Sequence, residues 1–191
     1  MKKMVVFASG SGTNAENIIK YFAKTQTGTI VSVFTNNIKA KVIERAENLQ
    51  VPTEIFSKEE LLESKVLQIL NRIEPDLIVL AGFLLKLPKS IIEAYPNKIV
   101  NIHPALLPKY GGKGMYGMNV HRAIIENKEK ETGITIHYVN ENYDEGNIIF
   151  QKTVPLSGNE TPEEVAEKIH QLEQKHFPEV IEKILNPKSQ I

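Results

Sequence analysis

The sequence predicts an α/β protein: a doubly wound, mostly parallel, Rossmann-like sheet with an antiparallel strand pair near its C-terminal side. Three observations predict it. Short, continuously apolar runs, Met4-Val-Val-Phe-Ala8 and Leu77-Ile-Val-Leu-Ala81, suit strands covered on both faces. Segments with apolar residues at helical spacing alternate with them through short connections. Two runs of alternating character, residues 134–139 and 147–154, are separated by a single turn.

The elements follow in order. After the first strand comes Ser9-Gly10-Ser11-Gly12-Thr13-Asn14, and then a helix whose inner face is Ala15, Ile18, Ile19 and Phe22. A strand, a glycine-rich turn and a helix leave the first helical amides unpaired and pointing outward, which suits an anion such as a phosphate, the alternative being a plain turn. Gly10-x-Gly12-x-x-Ala15 also satisfies the loose dinucleotide pattern. The second strand, residues 29–34, ends in Thr35-Asn36-Asn37, without the acid that such folds place there for the ribose. A second helix is expected over residues 39–49, with Val42, Ile43, Ala46 and Leu49 inward, and a short strand over 51–56. Ser57-Lys-Glu-Glu60 is a capping box opening a third helix with the stripe Leu62, Val66, Ile69, Leu70 and Ile73. The strand 77–82, the segment 83–87 and a short helix over 88–95 lead to the apolar run that ends in Asn101-Ile-His103-Pro104. Residues 111–117 hold four glycines in seven positions, a flexible loop equally suited to a lid or a plain connector. A helix over 121–127 follows, and after the antiparallel pair Thr161-Pro162-Glu163-Glu164 caps a last helix bearing Val165, Ile169, Leu172, Val180 and Ile184, with a kink expected at Pro178.

Composition bounds the function. The 191 residues, 41% hydrophobic and 24% charged, suit one soluble domain or a compact pair of lobes. Twenty-three basic residues balance 23 acidic ones, so there is no broad electrostatic footprint for nucleic acid or an anionic membrane. The absence of cysteine excludes disulfides and thiolate metal sites. No apolar run approaches the ~18 residues of a membrane span, and Met1-Lys2-Lys3 leads into a strand and not a full signal peptide, which suggests the cytoplasm.

The centre of the chain is residues 101–110. Pro104 biases His103 to extended geometry and ends the strand there. Asn101 and His103 are two apart, so they share one face at a strand's carboxyl end, where open α/β sheets bind ligands. A strand-end histidine alone is more often structural. The whole pattern Asn-x-His-Pro-x-Leu-Leu-Pro, however, resembles the signature of the folate-dependent formyltransferases. Three more segments resemble that family in the same order: Ser9 to Asn14, Leu80-Ala-Gly-Phe83, and Thr132 to Val139 running into Asp144-Glu-Gly-Asn-Ile-Ile. The likeness spans residues 1 to about 186.

That resemblance implies a single Rossmann-like formyltransferase domain over residues 1–191, with 1–100 a nucleotide-binding half and 101–191 a catalytic and folate-binding half. It also implies transfer of the formyl group of 10-formyltetrahydrofolate, as co-substrate, to the amine of 5′-phosphoribosylglycinamide in purine biosynthesis. It implies that Asn101, His103 and Asp144 are catalytic and that no metal takes part. Gly12, Thr13 and Asn14 hold the nucleotide's phosphate, and His170 and Glu173 take its ribose and glycinamide end. Leu84, Leu85, Lys86 and Leu87, with Asn101 and Asn140, Glu141, Asn142, Tyr143 and Asp144, frame the folate. Asp144 beside His103 is expected to favour the charged imidazole. The sequence departs from the family pattern at Leu85, at Lys58-Glu59 and at Asn119, and its glycine loop is longer than in many members. The alternatives are a formyltetrahydrofolate hydrolase and the methionyl-tRNA type of formyltransferase. Both normally carry a further domain, which this sequence is not expected to have.

Overall fold

The inner strands β1 and β4, at Lys3–Phe7 and Leu77–Leu80, form where the sequence is nearly or wholly apolar. A computed structural model describes residues 1–142 and 144–187. The elements run β1 (Lys3–Phe7), α1 (Thr13–Thr25), β2 (Thr29–Thr35), α2 (Val42–Asn48), β3 (Thr53–Ile55), α3 (Lys58–Leu62), α4 (Lys65–Ile73), β4 (Leu77–Leu80), α5 (Lys89–Ala94), β5 (Ile99–His103), α6 (Met118–Glu126), β6 (Glu131–Tyr138), β7 (Ile148–Pro155) and α7 (Pro162–Leu185). The strands form a seven-stranded sheet of order β3-β2-β1-β4-β5-β6-β7. β1 pairs in parallel with β2 and β4, β2 pairs in parallel with β3, and β6 and β7 are the antiparallel pair. The expected class is therefore the observed one. By contact the chain divides into two units, Met1–Val100 with the chain from Pro178 onwards, and Asn101–Phe177.

In the first unit Met4, Val5, Val6, Phe7, Val33, Phe34, Ile78 and Val79 are fully buried. The inner face of α1 is Ala15, Ile18, Ile19 and Phe22, as its spacing requires. Phe7 stacks on Phe34 at 4.7 Å between ring centres, and Phe56 and Phe83 meet Phe7 edge-on at 6.0 and 5.2 Å. These rings sit at or just past the carboxyl ends of β1 to β4, so they root the loops that follow.

Three helices differ from expectation. Helix α6 starts at Met118 and not at residue 121. The second helix starts at Val42 and not at residue 39, because Asn37 makes a turn of its own: its side-chain oxygen accepts from the Lys39 amide and its carbonyl from Ala40. The third is two helices, broken at Ser64, whose φ is 69°. The capping box of Ser57 and Glu60 is present and sets the phase of α3 so that Leu61 is buried while Leu62 is 61% exposed. The break then resets the phase for Val66 and Leu70 in α4.

In the second unit one hydroxyl fixes the segment after β5. Thr135 Oγ1, on β6, donates to the Ala105 carbonyl (2.7 Å) and accepts from the Leu107 amide (3.0 Å). Gln151 on β7 donates to Thr135 Oγ1 and to the Leu107 carbonyl, both at 2.9 Å. Ala105, Val120 and Ile124 form a small core under Tyr110, Met115 and Leu156. Helix α7 opens with reciprocal bonds between Thr161 and Glu164 and is assigned as one helix through Pro178.

Candidate active site

Asn101 and His103 stand on β5 two residues apart, with their side chains linked to different partners. His103 is 4% exposed, and its Nε2 lies 2.7 Å from the Tyr110 carbonyl oxygen. A carbonyl only accepts, so Nε2 carries the proton and, in the neutral ring, Nδ1 carries the lone pair. Nδ1 faces Asp144 Oδ2 at 3.6 Å. Asp144 has φ of 55°, and its Oδ2 accepts from the Gly112 amide at 2.9 Å. The first turn of the glycine loop thus holds the carboxylate in place.

His137 on β6 completes the group. Its Nδ1 donates to its neighbour's carbonyl, Tyr138 O, at 2.9 Å, which leaves Nε2 to accept from Asn101 Nδ2 at 3.1 Å. Asp144 Oδ1 is 3.7 Å from that Nε2. The chain from Tyr138 to His137 to Asn101 sets which end of the Asn101 amide is NH2, and leaves its second N–H as a fixed donor. The sequence reading passed over His137 as one residue of an alternating strand. The signal was its polar character among the inward positions of β6, where it is 2% exposed.

Burial pushes the imidazolium of His103 down, whereas the Asp144 charge and the Tyr110 carbonyl pull it up and His137 lowers it again; the balance lies below the usual histidine value. The sequence expectation that Asp144 favours the charged ring is right about the sign of that one interaction and wrong about the total, because desolvation outweighs it. Burial is the largest influence on Asp144 and raises it, but the His137 and His103 rings in their protonated forms and the Gly112 amide together outweigh it, so the carboxyl stays below its ordinary value. The resting pair is a neutral imidazole with its Nδ1 lone pair towards a carboxylate.

His121 on α6 is a further buried imidazole, 5% exposed, with no hydrogen-bond partner for Nδ1. On α7, His170 Nδ1 lies 3.8 Å from Glu173 Oε2, as the i,i+3 spacing allows. The Glu173 carboxylate raises the His170 imidazolium against a smaller opposing effect of burial. Within the turn after β6, Asn140 Oδ1 accepts from the Asn142 amide and Asn142 donates to Glu145, both side chains being exposed; Glu141 is exposed too. Tyr143 lies outside the described residues.

In the first unit, Gly12 caps α1 in the left-handed region and, as a glycine, brings no side-chain cap of its own to the first helical amides. Thr13 and Asn14 open the helix. Gly12 has φ of +73°, and an added Cβ would fall 2.4 Å from Val42, so the loop tolerates no side chain there. Of the segment after β4, Leu84 is 53% exposed, Leu85 half-buried, Lys86 exposed and Leu87 buried.

Chemically, the second unit offers an N–H fixed by a partner, a buried base with its free nitrogen defined, and an anion beside that nitrogen. This set suits attack of an amine on an acyl carbon, which needs a donor for the oxyanion and a place to put a proton.

Comparison with known proteins agrees. The family described as "Formyl transferase" matches residues 2–181. The chain is 38% identical over 187 residues to the chloroplastic phosphoribosylglycinamide formyltransferase of Arabidopsis thaliana, covering 94% of this chain but only 64% of that protein's length. It is 36% identical over 191 residues to the phosphoribosylglycinamide formyltransferase of Bacillus subtilis, covering 97% and 95% of the two chains. A crystal structure of glycinamide ribonucleotide transformylase 1 from Geobacillus kaustophilus superimposes with a TM-score of 0.88 at 38% identity, over 97% of this chain and 99% of that one.

Proposed function

Because the chain belongs to the formyl transferase family, we propose that it transfers the formyl group of 10-formyltetrahydrofolate to the amine of 5′-phosphoribosylglycinamide, a step of purine biosynthesis. The observation that carries this reading is the joined arrangement of Asn101, His103 and Asp144, with Nδ1 of the buried imidazole 3.6 Å from the carboxylate. Relatives bearing that enzyme's name at 36–38% identity support the choice of substrates.

In this reading the amide of Asn101 donates to the formyl oxygen as it becomes an oxyanion. The attacking amine loses a proton, and His103 Nδ1, the nitrogen with the lone pair, receives it. Asp144 steadies the imidazolium so formed, and the same nitrogen returns the proton to the departing folate nitrogen. His103 therefore donates only after it has taken a proton, and not from an imidazolium already present at rest. Gly12, Thr13 and Asn14 hold the phosphate through the open end of α1, and His170 with Glu173 takes the ribose and glycinamide end. Leu84, Leu85, Lys86 and Leu87, Asn101 and residues 140–144 frame the folate. No metal enters these steps. The balanced charge offers nucleic acid no hold, no described helix is long and apolar enough to cross a membrane, and the cysteine-free composition suits the cytoplasm.

The test is to incubate the purified protein with 10-formyltetrahydrofolate and phosphoribosylglycinamide, initiator methionyl-tRNA or water alone, and to follow loss of the formyl group. Loss that depends on the ribonucleotide is expected. An equal rate in water makes the protein a hydrolase, and activity only with charged tRNA overturns the substrate.

A further inference from the structure

Ser9 spends every polar group it has on other segments. It follows β1 directly and is 6% exposed. Its amide donates to the Gly82 carbonyl at 3.0 Å, and its carbonyl accepts from Asn37 Nδ2 at 3.4 Å. Its hydroxyl donates to Asn36 Oδ1 at 2.6 Å and accepts from the Leu84 amide at 2.9 Å. A hydroxyl has one proton, so giving it to Asn36 turns a lone pair towards Leu84. The residues past β2, where a dinucleotide fold would place an acid for the ribose, are thus engaged with Ser9.

The same loop is gripped further along. The Gly10 carbonyl accepts from Val42 at 3.2 Å and the Ser11 carbonyl from Arg45 Nε at 2.9 Å. Ser9 is therefore the link between the loop that leads into the N-terminus of α1 and the first residue of the stretch from Leu84 to Leu87. We propose that Ser9 is a positioning residue that couples the nucleotide loop to the folate segment, so that filling the phosphate site sets the Leu84 peptide for the folate. This inference rests on the function proposed above for those two segments. Phe83 remains anchored on Phe7 at 5.2 Å whether or not the hydroxyl is present, so losing it frees the Leu84 peptide without releasing the root of the loop.

The experiment is calorimetric titration of the whole protein with tetrahydrofolate, the product, which cannot react, with and without saturating phosphoribosylglycinamide. The ratio of the two dissociation constants reads the coupling. In the wild type the nucleotide tightens tetrahydrofolate at least about fivefold, the lower end of ordinary coupling between sites. In Ser9→Ala the ratio falls to about one. A merely structural role would weaken both ligands and leave the ratio unchanged, and that result overturns the proposal, as does a wild-type ratio of one. Asn36→Ala removes the acceptor that orients the hydroxyl and should lower the ratio too. If Ser9→Ala does not fold, Asn36→Ala decides alone, and an unchanged ratio overturns the proposal. Failure of either ligand to bind the wild type removes the function proposed above and this inference with it, whereas separate binding without coupling removes this inference only.

Discussion

Replacing Asp144 with Asn removes a charge while keeping an oxygen for the Gly112 amide, so it tests the interaction with His103 with little change of shape. Nδ1 and Oδ2 are 3.6 Å apart. At that distance, with an effective dielectric of about 20, an imidazolium and a carboxylate attract by about 4–5 kcal/mol. That exceeds the ~2.7 kcal/mol corresponding to a 10²-fold loss of turnover, and leaves room for water to screen a carboxylate whose side chain is 13% exposed. Asp144→Asn and His103→Asn should therefore each lower turnover by about 10²-fold or more. If Asp144 works by steadying the proton on His103, the double variant should be only slightly worse than the poorer single one. The sign of the pH effect follows from the site. Asp144 is a main force raising the His103 imidazolium against burial, so Asp144→Asn should move the principal ionisation of the rate profile to lower pH. Asn101→Ala serves the oxyanion and should lower turnover without moving that ionisation. The assay is formyl transfer against pH for the wild type, the three single variants and the double. Strictly additive losses, with an unmoved profile in Asp144→Asn, would show that the acid acts independently of His103.

Gly12→Ala should cost about 2 kcal/mol or more of stability, since it combines a strained φ with a Cβ 2.4 Å from Val42, while Gly10→Ala, with nothing within 4 Å, should be nearly neutral; denaturant midpoints of the two decide. That contact also makes Gly12→Glu a poor probe of phosphate binding, because the fold yields before the charge is felt. Limited proteolysis should nick residues 111–117 in the free protein and slow when both proposed substrates are present, because the loop is glycine-rich yet touches the Asp144 carboxylate through Gly112; equal cutting with and without them argues for a plain connector. Burial holds His103 and His121 below the ordinary histidine value of about 6.5, so the unfolded chain binds protons that the folded one does not, and stability should fall as pH drops below that value. His170, which is raised, has the opposite sign: its contribution is full at low pH and is lost as pH rises through its folded ionisation. Urea midpoints between pH 7.5 and 5.5 should show the net fall, and His121→Gln should flatten part of it.

The parts of the site that the sequence disclosed are those fixed by local geometry. Asn101 and His103 share a face because a strand repeats every two residues, and Gly12 opens α1 because the glycine turn leaves the helix uncapped. What stayed hidden depends on register or on burial. His137 meets Asn101 across 36 residues, and Ser9 meets Asn36 and Leu84 across 27 and 75; no periodicity within one element gives those pairings. The helix break at Ser64 is likewise hidden, since a change of phase leaves no mark in the apolar spacing: Leu61, not Leu62, is buried before it, and Val66 and Leu70 after it. The net direction of the His103 shift is hidden for a related reason: Asp144 is visible in the sequence, whereas the desolvation opposing it exists only once the chain is packed.

The Asp-x-Gly turn, legible only as a likeness, has a physical account in the structure. A Cβ on Gly146 would lie 1.6 Å from the Tyr138 carbonyl oxygen, so only glycine lets the returning chain pass there. That same oxygen accepts from His137 Nδ1, which in turn orients Asn101. Two residues before Gly146, Asp144 takes a left-handed φ and brings its carboxylate to His103 and Gly112. The turn therefore serves two members of the proposed catalytic group at once. It presents the anion to one directly, and its close approach packs the chain against the carbonyl that holds the other through His137. A side chain at Gly146 should for that reason disturb Asn101 as well as Asp144, although it is 45 positions from the former in the sequence.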